Sequence, residues 1–299
     1  MKRFLFRVLS LALFLVTTLV TKGRAQAAWD AYLARYDGGL GSVVLSMDVA
    51  RTAPRHDLPF LLITGVTFQK CTGDGFPERR ELKRMNRLSD DINRELFAMS
   101  GSKQAQALLV GTFTHQCQRL DYIYLADTTG IREALERFEH KRGYATYNFH
   151  IRLIEDPEWD AYRNFLYPND GVRTFMMNNR AITRMTDAGD ALSRPRFVEH
   201  LIYFDTIKDR ELFIRYIARI KYDIKEERDM RRDSLRYQVR LAKFGTVSLE
   251  EMNDQTAYLS TKAREFGGVY DGWETKLIGT KQRFHLLYNS LAEPTNTAK

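Results

Sequence analysis

Cysteine is scarce in this chain of 299 residues: there are two, Cys71 and Cys117. They do not form a Cys-x-x-Cys pair, which excludes a thioredoxin-type redox centre. Proline is sparse as well, at seven residues, and no low-complexity run occurs, so extended disorder is not expected. The apolar run Val8–Val20 falls short of the roughly 20 residues a membrane-spanning helix needs. Catalytic signatures are missing too. There is no His-Glu-x-x-His, no Gly-x-Ser-x-Gly and no Walker loop. Gly38-Gly39-Leu40-Gly41 is too short for a phosphate loop and follows no strand. The six histidines are scattered without metal-ligand spacing. No catalytic residue, metal or cofactor is therefore assigned.

What is present begins at the N-terminus. Lys2, Arg3 and Arg7 form a basic start, the apolar run follows, and Ala25-Gln26-Ala27 supplies the small-x-small pattern of a cleavage site. Residues 1–27 are thus expected to be a secretory signal peptide, with the mature chain starting at Ala28. The alternative is an uncleaved amphipathic or buried segment. No cysteine follows the cut, so no lipid anchor is indicated.

The charge reads differently once this segment is set apart. The formal charge is +8, but the segment holds five bases (Lys2, Arg3, Arg7, Lys22, Arg24) and no acid, which leaves +3. Acids and bases then interleave, as in Glu226-Glu227-Arg228-Asp229. That pattern is a solvated face, and no nucleic-acid partner is expected. Two cysteines in an exported chain point to one disulfide. It would close a loop of about 46 residues and contribute up to roughly 4 kcal/mol; two separate free thiols are the alternative.

Periodicity predicts an α+β chain of two domains. In residues 28–171, strands are expected at 42–49, 59–68, 107–114, 120–126 and 147–155. Leu82, Met85, Leu88, Ile92 and Leu96 mark a helix between the second and third strands, and Gly130–His140 is a second helix. The order is ββαββαβ with the helices on one face. Its second and third strands end on the same side of the sheet, which places Cys71 and Cys117 within reach of each other. Residues 172–194 read as a linker. Residues 195–285 give βαββαβ, the ferredoxin-like order, with a Ser248-x-x-Glu251 capping box opening the last helix. Residues 286–299 read as a disordered tail.

Two local features are candidates for contact. Trp29-Asp-Ala-Tyr32 is echoed by Trp159-Asp-Ala-Tyr162. It reads either as a duplicated stacking element or as two amphipathic turns covering a sheet. In Tyr270-Asp271-Gly272-Trp273-Glu274, Tyr270 and Trp273 would form an aromatic contact surface with Asp271 and Glu274 orienting a partner. The same residues also read as a bulge entering the last strand, with Trp273 packed on a helix.

The segment Glu265–Thr275, with Gly267, Gly268, Tyr270, Asp271, Gly272 and Trp273, resembles the C-terminal signature of the RraB family, the regulators of ribonuclease E activity. The resemblance covers roughly residues 195–280 and implies a ferredoxin-like domain that binds another protein. The stretch Asp156-Pro157-Glu158-Trp159 through Tyr162 and Phe165-Leu166-Tyr167-Pro168 is similar to the family catalogued as domain of unknown function 695, which lends no activity. Two departures from the RraB family stand out: the signal peptide, and the lack of a long acidic run. The expectation is an exported, periplasmic or secreted, non-enzymatic protein that binds an unidentified protein partner. A cytoplasmic regulator of an RNA-degrading endonuclease is the alternative. An enzyme is the third reading, and it requires His150, Asp121 and Arg152 to converge in one pocket.

Overall fold

A computed structural model describes residues 29–99, 107–140, 144–220, 222–230, 234–279 and 285–287. The expected signal peptide lies outside them, as does the expected tail apart from Leu286 and Leu287. The chain is α+β and divides into two compact units, at residues 168 and 169.

The first unit is a six-stranded antiparallel sheet. Its strands are β1 (Trp29–Tyr36), β2 (Gly39–Ser46), β3 (Phe60–Thr67), β4 (Ala107–His115), β5 (Gln118–Leu125) and β6 (Asn148–Glu155), ordered β1-β2-β4-β5-β3-β6. Among the described residues, the α-helices of this unit are α1 (Arg79–Met99) and α2 (Ile131–Glu139). Met85, Leu88, Ile92 and Leu96 of α1 and Ile131 and Leu135 of α2 pack with Leu62, Val66, Ile123 and Leu125 in one core on one sheet face. This stripe is the three-to-four spacing read from the sequence.

One strand of this unit was not expected. Trp29–Tyr36 pairs along its length with β2, from Trp29↔Ser46 to Tyr36↔Gly39. The turn uses Gly38 at φ 85°, a conformation that a side chain disfavours. Asp37-Gly38 is therefore the hairpin turn, and His115 secures it with ring nitrogens 3.0 Å from the Leu40 carbonyl and 2.9 Å from that of Asp37. The Trp-Asp-Ala-Tyr echo is not a structural duplication. The first copy lies in a strand, where positions three apart face opposite ways, and the second enters a helical turn, Ala161–Leu166.

That second copy covers the other face of the sheet. Trp159 stacks on Tyr124 with centroids 3.8 Å apart and planes 6° from parallel, and its indole N–H donates to the Leu58 carbonyl at 3.0 Å. These contacts hold Trp159 at φ 58°, uncommon for a residue with a side chain. Tyr162 donates to the Ser46 carbonyl, and Tyr32 to that of Leu166. The Asp156 carboxylate accepts from the Tyr124 hydroxyl and from the backbone N–H groups of Asp160 and Ala161, which fixes the start of the turn.

Cys71 and Cys117 are joined by a disulfide with Cα atoms 5.7 Å apart. It ties the loop after β3 to the β4–β5 turn, at one end of the sheet.

The second unit opens with a helix where a linker was expected: α3 (Asp170–Asp187), capped by Asn169, whose side chain accepts from Val172 N–H. Its buried face is Met176, Asn178, Ala181 and Met185. A buried amide in the stripe weakens the apolar periodicity, so the segment reads as irregular in sequence. The unit continues through β7 (Arg196–Phe204), α4 (Ile207–Ile217), β8 (Asp223–Asp229), β9 (Tyr237–Gly245), α5 (Leu249–Glu265), β10 (Gly268–Lys276) and β11 (His285–Leu287). The sheet order is β11-β10-β7-β9-β8, and every pairing is antiparallel. Without β11 this is the ferredoxin-like arrangement. Ser248 caps α5 by accepting from Glu251 N–H, as the capping box predicts.

Candidate functional site

The Tyr270–Glu274 segment lies on β10 beside the central strand β7. Tyr270 pairs with Ile202 and Trp273 with His200, and the register shifts between Tyr270 and Gly272. Asp271 sits at this bulge. Strand residues three apart normally face opposite ways, but the extra residue turns both aromatic rings toward the helices. Gly272 takes φ 144° beside it.

Both rings are therefore core. Trp273 is 2% exposed and Tyr270 3%. The Trp273 indole donates to Asn178 Oδ1 at 2.8 Å, and Asn178 Nδ2 donates to Asn253 Oδ1 and Thr256 Oγ1, each at 2.9 Å. Trp273 thus bonds α3 to β10 and, through Asn178, to α5. The Tyr270 hydroxyl lies 2.9 Å from His200 Nδ1, and His200 Nε2 lies 3.3 Å from Gln255 Oε1. Since Gln255 Oε1 accepts, Nε2 carries the proton and Nδ1 accepts from Tyr270. Burial lowers the His200 pKa to about 4, Gln255 opposes the shift, and the Lys243 charge adds to it. Tyr270 and Trp273 are not an exposed contact surface.

Glu274 faces the opposite way. It pairs with Arg240, which also bonds Glu199 at 2.8 Å and lies 3.6 Å from Glu226. The face around this cluster carries exposed aromatic rings. Phe197 and Phe244, cross-strand partners, are 48% and 61% exposed, with ring centroids 5.2 Å apart at 67°. The Lys225 ammonium sits 4.6 Å over the Phe197 ring. Val269, opposite Tyr203, is 44% exposed on the same side. The cores of this unit lie on the other side, where α3, α4 and α5 pack against Val198, Ile202 and Phe204. The sequence signal for this face is the alternation within β7: Phe197, Glu199, Leu201 and Tyr203 point away from Val198, His200, Ile202 and Phe204.

In the first unit the three residues required for an enzyme site do not converge. Asp121 shares its register position with Thr64, opposite Ile151. His150 and Arg152 flank Ile151 and so face the other side of the sheet. His150 Nε2 is 2.7 Å from Thr67 Oγ1, whereas Asp121 is buried and accepts from Thr112 Oγ1 at 2.7 Å. Among the described residues, no three His, Cys, Asp or Glu side chains are grouped to hold a metal ion, and no helix is long and apolar enough to cross a membrane.

Fold and surface together define a tandem α+β protein with a one-sided, ferredoxin-like second unit. Each part is similar to a family model. Residues 27–167 match the model of a family of unknown function, DUF695, and residues 176–275 match the family described as regulator of ribonuclease activity B, RraB. The N-terminal part thus resembles DUF695 and the C-terminal part RraB, whose match begins within α3. No curated protein matches the chain. A solved structure, an unknown protein from Galdieria sulphuraria, is 12% identical, with 71% of this chain and 96% of that one covered at a TM-score of 0.18.

Proposed function

We propose that this is an exported, non-enzymatic regulatory protein that acts by binding another protein through the open sheet face of its RraB-like unit. The observation that carries the reading is the exposed Phe197–Phe244 pair beside the carboxylates clustered on Arg240. Exposed aromatic anchors rimmed by charge are the usual makings of a protein contact. Three carboxylates around one guanidinium favour a partner that brings a basic side chain alongside an apolar one. Export is supported by the basic–apolar–small pattern of residues 1–27 and by the disulfide, a bond that persists in oxidising compartments.

The test is quantitative co-isolation from the compartment where the protein resides, comparing wild type with the Phe197→Ser, Phe244→Ser double variant. A partner held by wild type and lost from the folded variant supports the reading; a partner retained equally by both contradicts it. A second reading, a cytoplasmic regulator of an RNA-degrading endonuclease, is favoured by the RraB match over residues 176–275. It requires a retained N-terminus and reduced cysteines.

A further inference from the structure

The helix-covered face of the first sheet is not apolar throughout. Two rows of paired residues cross it under one flank of α1. One runs Ser42, Thr114, Arg119, Val66, and the other Val44, Thr112, Asp121, Thr64. Arg119 Nε is sealed from solvent and has no hydrogen-bond partner. Asp121 and Asp90 act on its guanidinium only as charges. Thr64, 0% exposed, also has an unpartnered hydroxyl, and so does the side-chain oxygen of Asn86, one turn before Asp90 on α1. Buried polar groups are nearly always paired, and an enclosed guanidinium nitrogen without a hydrogen-bonded partner is costly. Arg119 and Thr64 stand in adjacent rows on this face, beside the buried Asp121 carboxylate, and Asn86 lies one turn from Asp90 on the helix above them; together they point to a polar ligand.

The charges restrict its class. A purely anionic ligand meets Asp121 and Asp90, and a purely cationic one meets Arg119. Arg119 and Asp121 are two residues apart along β5, about 7 Å. Both side chains lie on the same face, so one α-amino acid can present its carboxylate to Arg119 and its ammonium to Asp121. The patch opens to solvent at Asp90, which is exposed.

We propose that the flank of α1 over the β4–β5 hairpin is a binding site for a small zwitterion of the α-amino-acid class, with Arg119 taking its carboxylate and Asp121 and Asp90 its ammonium. Asn86 Oδ1 and Thr64 Oγ1 supply the remaining polar contacts. The Cys71–Cys117 bridge, two residues from Arg119, holds that end of the hairpin in place.

The test is calorimetric titration of the full disulfide-bonded chain with L-alanine, L-serine, L-glutamate and L-lysine, and with acetate and methylammonium as the two halves. At least one amino acid is expected to bind saturably and neither half to do so. Arg119→Lys and Asp121→Asn should each weaken binding by about tenfold or more, while Arg152→Gln, on the opposite face, should leave it unchanged. The Lys and Asn variants keep charge or shape, and circular dichroism confirms that they fold. Absence of saturable binding by all four amino acids, binding of acetate as tight as theirs, or undiminished binding to the folded Arg119→Lys variant would overturn the proposal.

Discussion

Tyr270 and Trp273, three residues apart on one strand, point to the same side of the sheet because the bulge at Asp271 lies between them. The Trp273 indole reaches Asn178 on α3, and the Tyr270 hydroxyl reaches His200 on β7. The segment that looked most like an exposed contact surface is an anchor of the second core.

Trp273→Ala should therefore cost roughly 3–5 kcal/mol of stability. Trp273→Phe keeps most of the packing but leaves Asn178 Oδ1 unpaired, and should cost about 1–3 kcal/mol. Urea unfolding monitored by circular dichroism checks both. A loss near zero for the alanine variant would place the ring at the surface.

His200 makes the second unit sensitive to acid. Its pKa is near 6.5 unfolded and about 4 folded, with burial the main cause. The unfolded chain takes up the proton first, so the contribution of the neutral ring is complete above pH 6.5 and is lost as pH falls from 6.5 to 4. The span is roughly 3 kcal/mol. Unfolding measured across this range should show stability falling with pH, and His200→Gln should flatten the curve there.

The bridge between Cys71 and Cys117 predicts that Cys71→Ser and Cys117→Ser each lower the melting temperature by a similar amount. The double variant should lose no more than either single one. Additive losses would contradict a shared bond.

Because α3 covers Trp273 through Ala181, Met185 and Asn178, a fragment starting at Asn169 should fold cooperatively. One starting at Pro195 removes that cover and should melt far lower or bind a hydrophobic dye. Equal stability of the two fragments would return residues 172–194 to a linker.

Where structure follows from local pattern, the sequence was legible. The α1 stripe, the Ser248–Glu251 cap, the alternation of β6 and the two-family layout all rest on neighbours three or four residues apart at most, or on contiguous motifs. Most of what was hidden depends on distant partners. The helix α3 is defined by an amide whose partner Trp273 lies on another element, whereas Trp29–Tyr36 pairs with the adjacent β2 and was hidden because it breaks the apolar alternation of a strand. The bulge that turns Tyr270 and Trp273 to one side leaves no periodic trace. The separation of Asp121 from His150 and Arg152 emerges only from strand register, as does the exposed pairing of Phe197 with Phe244.

The proposal that this protein works outside the cytoplasm through protein contacts stands or falls on the state of the native chain. Fractionation of source cells followed by intact-mass analysis should find a chain starting at Ala28, outside the cytoplasm, with Cys71 and Cys117 oxidised. A cytoplasmic chain that retains Met1 and two free thiols would contradict the account.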